Sequence, residues 1–333
     1  MFIRRKEKAM PLTTNDLNAI KRAMPVLDFG HAHGRFVDDP LVQSYLNHYR
    51  INFSRELDGV SHNFGYFQAP EFKLACHIWR PGVTVKGTII FKHGYTDNVG
   101  LMQHALRAFL CDGWAVVAFD LPGHGLSSGK IGCIGSFDQY RACLDRCLKL
   151  ARGNLPKPWN GAGQSTGGAI WFNYLRQHDS DSEVNTVVMF APLVRILNWH
   201  RLKFLFPILR HVTSLRPRVF SKNSNDPEFL AFVKNHDLMQ PPGTPMRWVA
   251  AMRDNIDAFM SAPKSDRPLK IISGDCDRTV DADWNLNVIK EKFPQADITV
   301  IPGVRHQVVN ESESLRHKIF TEALDWLNQF KAD

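Results

Sequence analysis

The sequence predicts an α/β fold, a mostly parallel sheet with helices on both faces. Two observations carry that prediction. From Phe64 onward, short strand-like runs alternate with amphipathic segments of helix length. Several of the strand runs are apolar throughout, as a strand covered on both faces must be. The chain of 333 residues is long enough for one large α/β domain with an insertion.

The elements follow in order. "KLACHIWR" (73–80) alternates like a strand, and "GTIIFKHG" (87–94) is a short apolar run ending in glycine. "VGLMQHALRAFLCDG" (99–113) has helical spacing with Gly113 as its stop. "WAVVAFD" (114–120) is a buried-strand run, and Ser136 is placed to cap the helix "SFDQYRACLDRCLKLA". "WNGAGQ" reads as a strand, "TGGAIWFNYLRQH" as a helix and "VNTVVMFAP" as a strand. "PLKIISGD" (268–275) and "DITVIPG" (297–303) are the last strands, each followed by a helical stretch. The core is therefore expected at 61–192 and 266–333, behind a polar extension, 1–60, with no evident organisation. Residues 193–265 hold no strand run and are rich in Trp, Phe, Leu and Arg. They are expected to form a helical cap over the carboxyl edge of the sheet, the edge where such folds bind ligands.

Composition narrows the function classes. Hydrophobic content of 44% and charged content of 22% are ordinary for a soluble globular protein. No apolar run reaches the 18 or so residues of a membrane span, and residues 193–212 are broken by Arg195, His200, Arg201, Lys203 and Arg210. The basic N-terminal stretch lacks a signal peptide's apolar core, so the chain reads as cytoplasmic. A net charge of +8 is not organised into a nucleic-acid recognition motif, and no nucleic acid is expected as a partner. The six cysteines have no paired spacing. Cys143 and Cys147 sit four apart on a helix without a nearby His or Cys, which favours reduced thiols over zinc. His31 and His33 form an H-x-H that reads as a solvated loop pair.

Gly163-Gln164-Ser165-Thr166-Gly167 is a G-x-S-x-G between a strand-like segment and a helix. That is where a sharp strand-to-helix turn would expose a nucleophilic hydroxyl. A serine at its free pKa needs a base, and the base needs an orienting acid. In this architecture the order along the chain is Ser, then Asp or Glu, then His, each just past a strand. Asp275 and Asp277 follow "PLKIISG", and His306 follows "DITVIPG". Read singly, Asp277 is a turn or cap residue and His306 a loop histidine; together they supply the acid and base for Ser165. His93-Gly94-Tyr95 ends an early strand, so the backbone N–H groups of Tyr95 and Thr166 are the expected oxyanion hole. His93 itself is expected to be a structural hydrogen bonder.

"HGYTDN", "FDLPGHGLSSG" (119–129), "GQSTGG", "SGDCDRTVD" (273–281) and "GVRHQVVNESESLR" (303–316) together resemble the α/β-hydrolase superfamily. Within it the chain is similar to the monoglyceride lipase and lysophospholipase group over roughly residues 65–331. The resemblance implies an eight-stranded sheet with the cap after the sixth strand. It favours Asp277 over Asp275 as the acid, and sets Glu311 and Arg316 in an ending shared with that group. The polar strand "KPWNGAGQ" and Gln164 before the serine depart from the group's usual pattern. The implied activity is hydrolysis of a single-acyl-chain lipid ester, a lysophospholipid or monoacylglycerol, with no metal or organic cofactor. A proline-type aminopeptidase and a small-ester carboxylesterase are the alternatives. The first would need a cap acid such as Asp226, Glu228, Asp237 or Asp254 to hold a substrate amine.

The cap carries a further expectation. Residues 195–222 hold Arg195, Arg201, Lys203, Arg210, Arg216, Arg218 and Lys222, with Trp199, Phe204, Phe206 and Phe220 between them and no acid. This reads either as a helix with a solvated basic face or as a surface making peripheral contact with an anionic membrane.

Overall fold

The structure is a computed structural model that describes residues 11–30, 34–204 and 214–332. His31, His33, Phe206 and Arg210 lie outside the described residues.

Ahead of the sheet, α1 (Thr14–Ala23), α2 (Pro40–His48) and the single turn α3 (Phe53–Glu56) form a layer on the core. Residues 1–60 were the part of the sequence with no evident organisation, yet the caps are explicit. Thr13 and Asp16 make a reciprocal capping box. Asp39 accepts from the Leu41 and Val42 N–H groups, with Pro40 preset for the first turn. Val42, Tyr45, Leu46 and Phe53 are fully buried in the same cluster as Trp79 and Phe91 of the sheet.

The sheet is built from β1 (Ser61–Gln68), β2 (Lys73–Arg80), β3 (Thr88–Lys92), β4 (Ala115–Phe119), β5 (Trp159–Gln164) and β6 (Val184–Phe190). After the insertion it is completed by β9 (Leu269–Gly274) and β10 (Asp297–Ile301). The eight strands lie in the order β1-β2-β4-β3-β5-β6-β9-β10. β2 runs antiparallel to both of its neighbours, and the other pairings of this sheet are parallel. Helices α4 (Gln103–Cys111), α5 (Phe137–Ala151) and α6 (Thr166–Gln177) connect the central strands. Every residue of β3, β4, β5 and β9 is buried. Helices on both faces therefore account for the unbroken apolar runs.

The polar strand β5 has a steric cause. A Cβ built on Gly161 would lie 2.8 Å from the Trp171 ring and 2.9 Å from Val187, so only a minimal residue fits there. The Trp171 indole N–H donates to the Ala162 carbonyl across the same contact.

Between β6 and β9 the described residues hold β7 (Leu215–Pro217), α7 (Pro227–Asn235), β8 (Gly243–Pro245) and α8 (Met246–Ser261). The insertion was expected to be wholly helical. Instead β7 and β8 pair as a small antiparallel sheet. Three-residue strands ending in proline are too short to show a period-two pattern, which is why they are silent in the sequence. Beyond β9 come α9 (Ala282–Lys292) and, after β10, α10 (Glu313–Leu327). Among the described residues no helix is long and apolar enough to cross a membrane.

Tyr49, just after α2, joins the N-terminal layer to the insertion. Its ring meets Phe232 of α7, and its hydroxyl donates to Asp237 at 2.9 Å. Tyr49→Phe should lower stability by about 1 kcal/mol, and Tyr49→Ala by about 3–5 kcal/mol, in urea titrations. Equal losses for the two would mean that the hydroxyl, not the packing, holds the layer.

Candidate active site

The parallel register brings the ends of β3, β5, β6, β9 and β10 to one edge. Lys92 pairs with Gly163, Gln164 with Phe190, Phe190 with Ile272, and Gly274 with Ile301. The loops leaving these ends carry the residues singled out in the sequence.

Ser165 sits between β5 and α6 with φ +53° and ψ −110°. A non-glycine residue with that backbone is strained and persists only where its surroundings fix it. The surroundings do. The Ser165 N–H donates to the Phe190 carbonyl at 2.9 Å, and its own carbonyl accepts from Leu193 and Ala169. A Cβ on Gly163 would lie 2.7 Å from the Gly167 backbone, and one on Gly167 only 2.2 Å from the Lys92 carbonyl. The two glycines of the motif are thus required by the closeness of β3, β5 and α6.

His306 reaches back from the loop after β10. In the neutral imidazole its Nδ1–H donates to Asp277 Oδ2 at 2.7 Å, and Nε2 accepts from the Ser165 hydroxyl at 2.9 Å. The Thr279 and Val280 N–H groups donate to the other Asp277 oxygen at 2.7 and 3.1 Å. Asp275 stands apart, accepting from the Gly303 N–H at 2.7 Å and tying the two loops together. Gln164, the unusual residue before the serine, donates through Nε2 to the His306 carbonyl at 2.7 Å. Glu311 is fully buried, receives the Arg305 and Asn225 N–H groups, and so pins the start of the histidine loop.

Burial alone would raise the Asp277 pKa. The charge of His306, its hydrogen bond and the two backbone N–H groups outweigh burial, and the carboxyl lies below its ordinary range. Burial would lower His306, but the charge and hydrogen bond of Asp277, with the charge of Asp97, hold the imidazole above its ordinary value.

The Gly94–Tyr95 loop packs on the serine turn: a Cβ on Gly94 would lie 3.4 Å from the Ser165 Cβ. The Tyr95 ring stacks on Trp248 at 3.9 Å, and its hydroxyl donates to the Gly132 carbonyl. Thr166 opens helix α6. Both His93 ring nitrogens bond backbone, Nδ1–H donating to the Gly94 carbonyl and Nε2 accepting from the Leu121 N–H.

Tyr95, Thr166, Ser165 and His306 share a cavity of about 410 Å³. Leu193, Ile196, Leu202, Phe229, Trp248 and Met252 supply much of its apolar wall. Two of its residues escaped the sequence reading, Asp97 and Gln307. The Gln307 amide donates to both Asp97 oxygens at 3.2 Å. Asp97 lies within the quoted "HGYTDN", and Gln307 directly follows the histidine; those positions were the available signal. The four cap acids that could have held an amine are occupied elsewhere. Asp226 caps α7 and pairs with Arg316, and Glu228 faces Arg50. Asp237 holds Tyr49, and Asp254 holds Arg253. Among the described residues no group of three His, Cys, Asp or Glu side chains is arranged to hold a metal ion.

The family model described as "Serine aminopeptidase, S33" matches residues 84–313. The monoacylglycerol lipase of Mycolicibacterium smegmatis is 25% identical over 267 residues, covering 77% of this chain and 92% of that protein. The probable lysophospholipase L2 of Haemophilus influenzae is 22% identical over 276 residues, covering 76% and 87%. Among solved structures, a soluble variant of monoglyceride lipase from Saccharomyces cerevisiae superposes with a TM-score of 0.69 at 18% identity, covering 80% of this chain and 95% of that one.

The ion pair predicts a measurable titration. By NMR, His306 should titrate above the ordinary value of 6.5 in the parent protein and lower in Asp277→Asn. In Asp275→Asn it should stay at the parent value. A parent His306 titrating below 6.5 would contradict the geometry.

Proposed function

We propose a function for this chain, which belongs to the α/β-hydrolase family described as serine aminopeptidase S33: it cleaves the carboxylic ester of a single-acyl-chain lipid, a lysophospholipid or monoacylglycerol, through an acyl-enzyme. The chain is an enzyme, a carboxylic ester hydrolase. The observation that carries the mechanism is the unbroken line Asp277–His306–Ser165, with bonds of 2.7 and 2.9 Å.

Each residue has one task. His306 Nε2 takes the hydroxyl proton as Ser165 Oγ attacks the ester carbonyl. Asp277 holds the imidazole in the tautomer that leaves Nε2 free, and stabilises the imidazolium that forms. The backbone N–H groups of Tyr95 and Thr166 receive the oxyanion of the tetrahedral intermediate. His306 returns the proton to the leaving alcohol. Water then attacks the acyl-enzyme, with His306 again as base, and releases the acid.

The cavity's apolar wall suits an acyl chain, and burial of each methylene is worth about 0.8 kcal/mol. The occupied cap acids weigh against the aminopeptidase reading, which needs a free carboxylate for an amine. Ser165→Ala should abolish both fluorophosphonate labelling and hydrolysis of monoacylglycerol, lysophosphatidylcholine and 4-nitrophenyl esters. Asp277→Asn should cut kcat by roughly 10⁴, and Asp275→Asn far less. Hydrolysis of a proline arylamide but of no lipid ester would overturn the substrate assignment.

The insertion also supplies a membrane-facing surface in this reading. Phe204 and Val219 are 82% and 80% exposed, and Arg201, Lys203 and Lys222 are exposed on the same segment. Apolar groups beside basic ones bind an anionic bilayer through burial and charge together. Arg195 is excluded from that surface, since it pairs with Asp281 and lies over the Trp284 ring. Trp199 is buried. Replacing Arg201 and Lys203 with Gln should weaken binding to anionic vesicles by roughly thirtyfold, at about 1 kcal/mol for each charge. The difference should shrink at high salt. Parent-like binding at low salt would reduce the basic stretch to a solvated face.

A further inference from the structure

The cavity beside Ser165 holds a set of charges that ester cleavage does not use. Three guanidiniums line it, Arg216, Arg218 and Arg278, against one carboxylate, Asp97. Arg216 and Arg218 stand two residues apart around β7, so the strand pleat turns both to one side. Their position is fixed by the small sheet. Arg216 lies opposite Thr244, and the Arg218 backbone N–H donates to the Pro242 carbonyl. Arg278 enters from the other wall, one residue after Asp277.

Arg216 and Arg278 are exposed and Arg218 is half-buried, and all three differ from the half-buried Arg195 and Arg316. Arg195 pairs with Asp281 and Arg316 with Asp226, each at 2.6 Å. Among the described residues, none of the three cavity guanidiniums has a carboxylate within ion-pair distance or a side-chain hydrogen bond. Arg218 is half-buried without a direct ion pair, and the through-space charges of Asp237 and Asp97 offset part of its desolvation. Asp97, whose oxygens receive the Gln307 amide, attracts Arg218 through space but makes no direct bond to it. The cavity lining therefore carries positive charge in excess, and among the described residues the half-buried Arg218 guanidinium has no direct hydrogen-bond partner.

We propose that Arg216, Arg218 and Arg278 form an anion subsite that receives a phosphate on the alcohol side of the scissile ester. This rests on the ester-hydrolase reading and names its substrate class, a single-chain lipid ester with a phosphate-bearing headgroup. Guanidiniums arriving from two walls suit a tetrahedral group with several acceptor oxygens, whereas one fork satisfies a planar carboxylate.

The test compares octyl phosphate, octanoate and octanol. Each is measured as an inhibitor of 4-nitrophenyl butyrate hydrolysis and, by calorimetry, as a ligand of Ser165→Ala protein. Octyl phosphate should bind roughly tenfold or more tightly than the other two. The double variant Arg216→Gln/Arg218→Gln should lose that margin, while Arg216→Lys/Arg218→Lys keeps part of it. Octyl phosphate binding no better than octanol, or a margin that survives in the Gln variant, would overturn the subsite. Octanoate equal to octyl phosphate would overturn its assignment to phosphate. Should the double Gln variant fail to fold, Arg278→Gln alone should narrow the margin, and an undiminished margin would count against the proposal. The calorimetric measurement involves no turnover. It reads the subsite separately from ester cleavage, whose own failure would show as a parent protein that hydrolyses none of the esters.

Discussion

The site depends on a crowding constraint where β3, β5 and α6 meet. Gly163 and Gly167 leave no room for a Cβ, because the helix starts against the strand it follows and against the Lys92 carbonyl of the next strand. That closeness forces Ser165 into a positive-φ turn and lifts its side chain out of the sheet edge. Once the serine is fixed, the parallel register fixes the rest. The ends of β9 and β10 are hydrogen-bonded into the same edge, so a loop of a few residues from each brings Asp277 and His306 within bonding distance of one another. The strain of the turn is held by the Phe190, Leu193 and Ala169 backbone bonds, not by the reacting groups themselves.

This division explains what was legible in the sequence. Fully buried parallel strands leave apolar runs, and the loops after them leave chemistry-bearing residues in a fixed order. The sheet could therefore be read directly, and Ser165, the pair Asp275 and Asp277, and His306 stood out as candidates. Choosing between Asp275 and Asp277 could not be done from strand spacing, since both follow β9 within three residues. What separates them is a turn in which the Thr279 and Val280 N–H groups converge on one carboxylate. β5, read correctly as a strand, departs from the usual apolar run, and at Gly161 the reason is packing. Its small residues answer to the Trp171 ring, a contact that no local pattern encodes.

The N-terminal layer and the insertion were legible in different degrees. The Thr13–Asp16 box and Asp39-Pro40 are local signals and were present to be read. The burial of Tyr45 and Tyr49 is tertiary, because their partners come from the sheet and from α7. The layer meets the insertion through Tyr49 and also through His48, whose ring nitrogen bonds the His236 carbonyl. One end of α7 is thereby braced against a segment nearly two hundred residues earlier, and its other end against α10 through Asp226 and Arg316. A helix clamped at both ends keeps Phe229 and Val233 in the cavity wall, so the shape of the site depends on residues far from the serine.

Three buried carboxylates show what that arrangement demands energetically. Burial pushes Asp97 up to about 6, and Asp120 likewise, from an ordinary 3.8. A carboxyl raised on folding stabilises the native state below its unfolded pKa, and that contribution is lost as pH rises through the folded value. Between pH 4 and 6 both groups therefore work against the fold as the solution becomes less acidic. Asp277 has the opposite sign: its lowered pKa adds stability above the unfolded value, lost only as pH falls through the folded one. The three are similarly buried, and Asp120, like Asp277, accepts two backbone N–H groups, from Val99 and Leu126. Backbone donors are thus not what distinguishes them. The difference is a directly bonded imidazole, which Asp277 has and Asp120 lacks. Asp120 ties the Gly-rich loop to the end of β4, and Asp97 braces Gln307 beside the histidine. The chain thus carries two costly carboxyls at neutral pH to hold loops in place, while Asp277 is held ionised by the imidazole bonded to it.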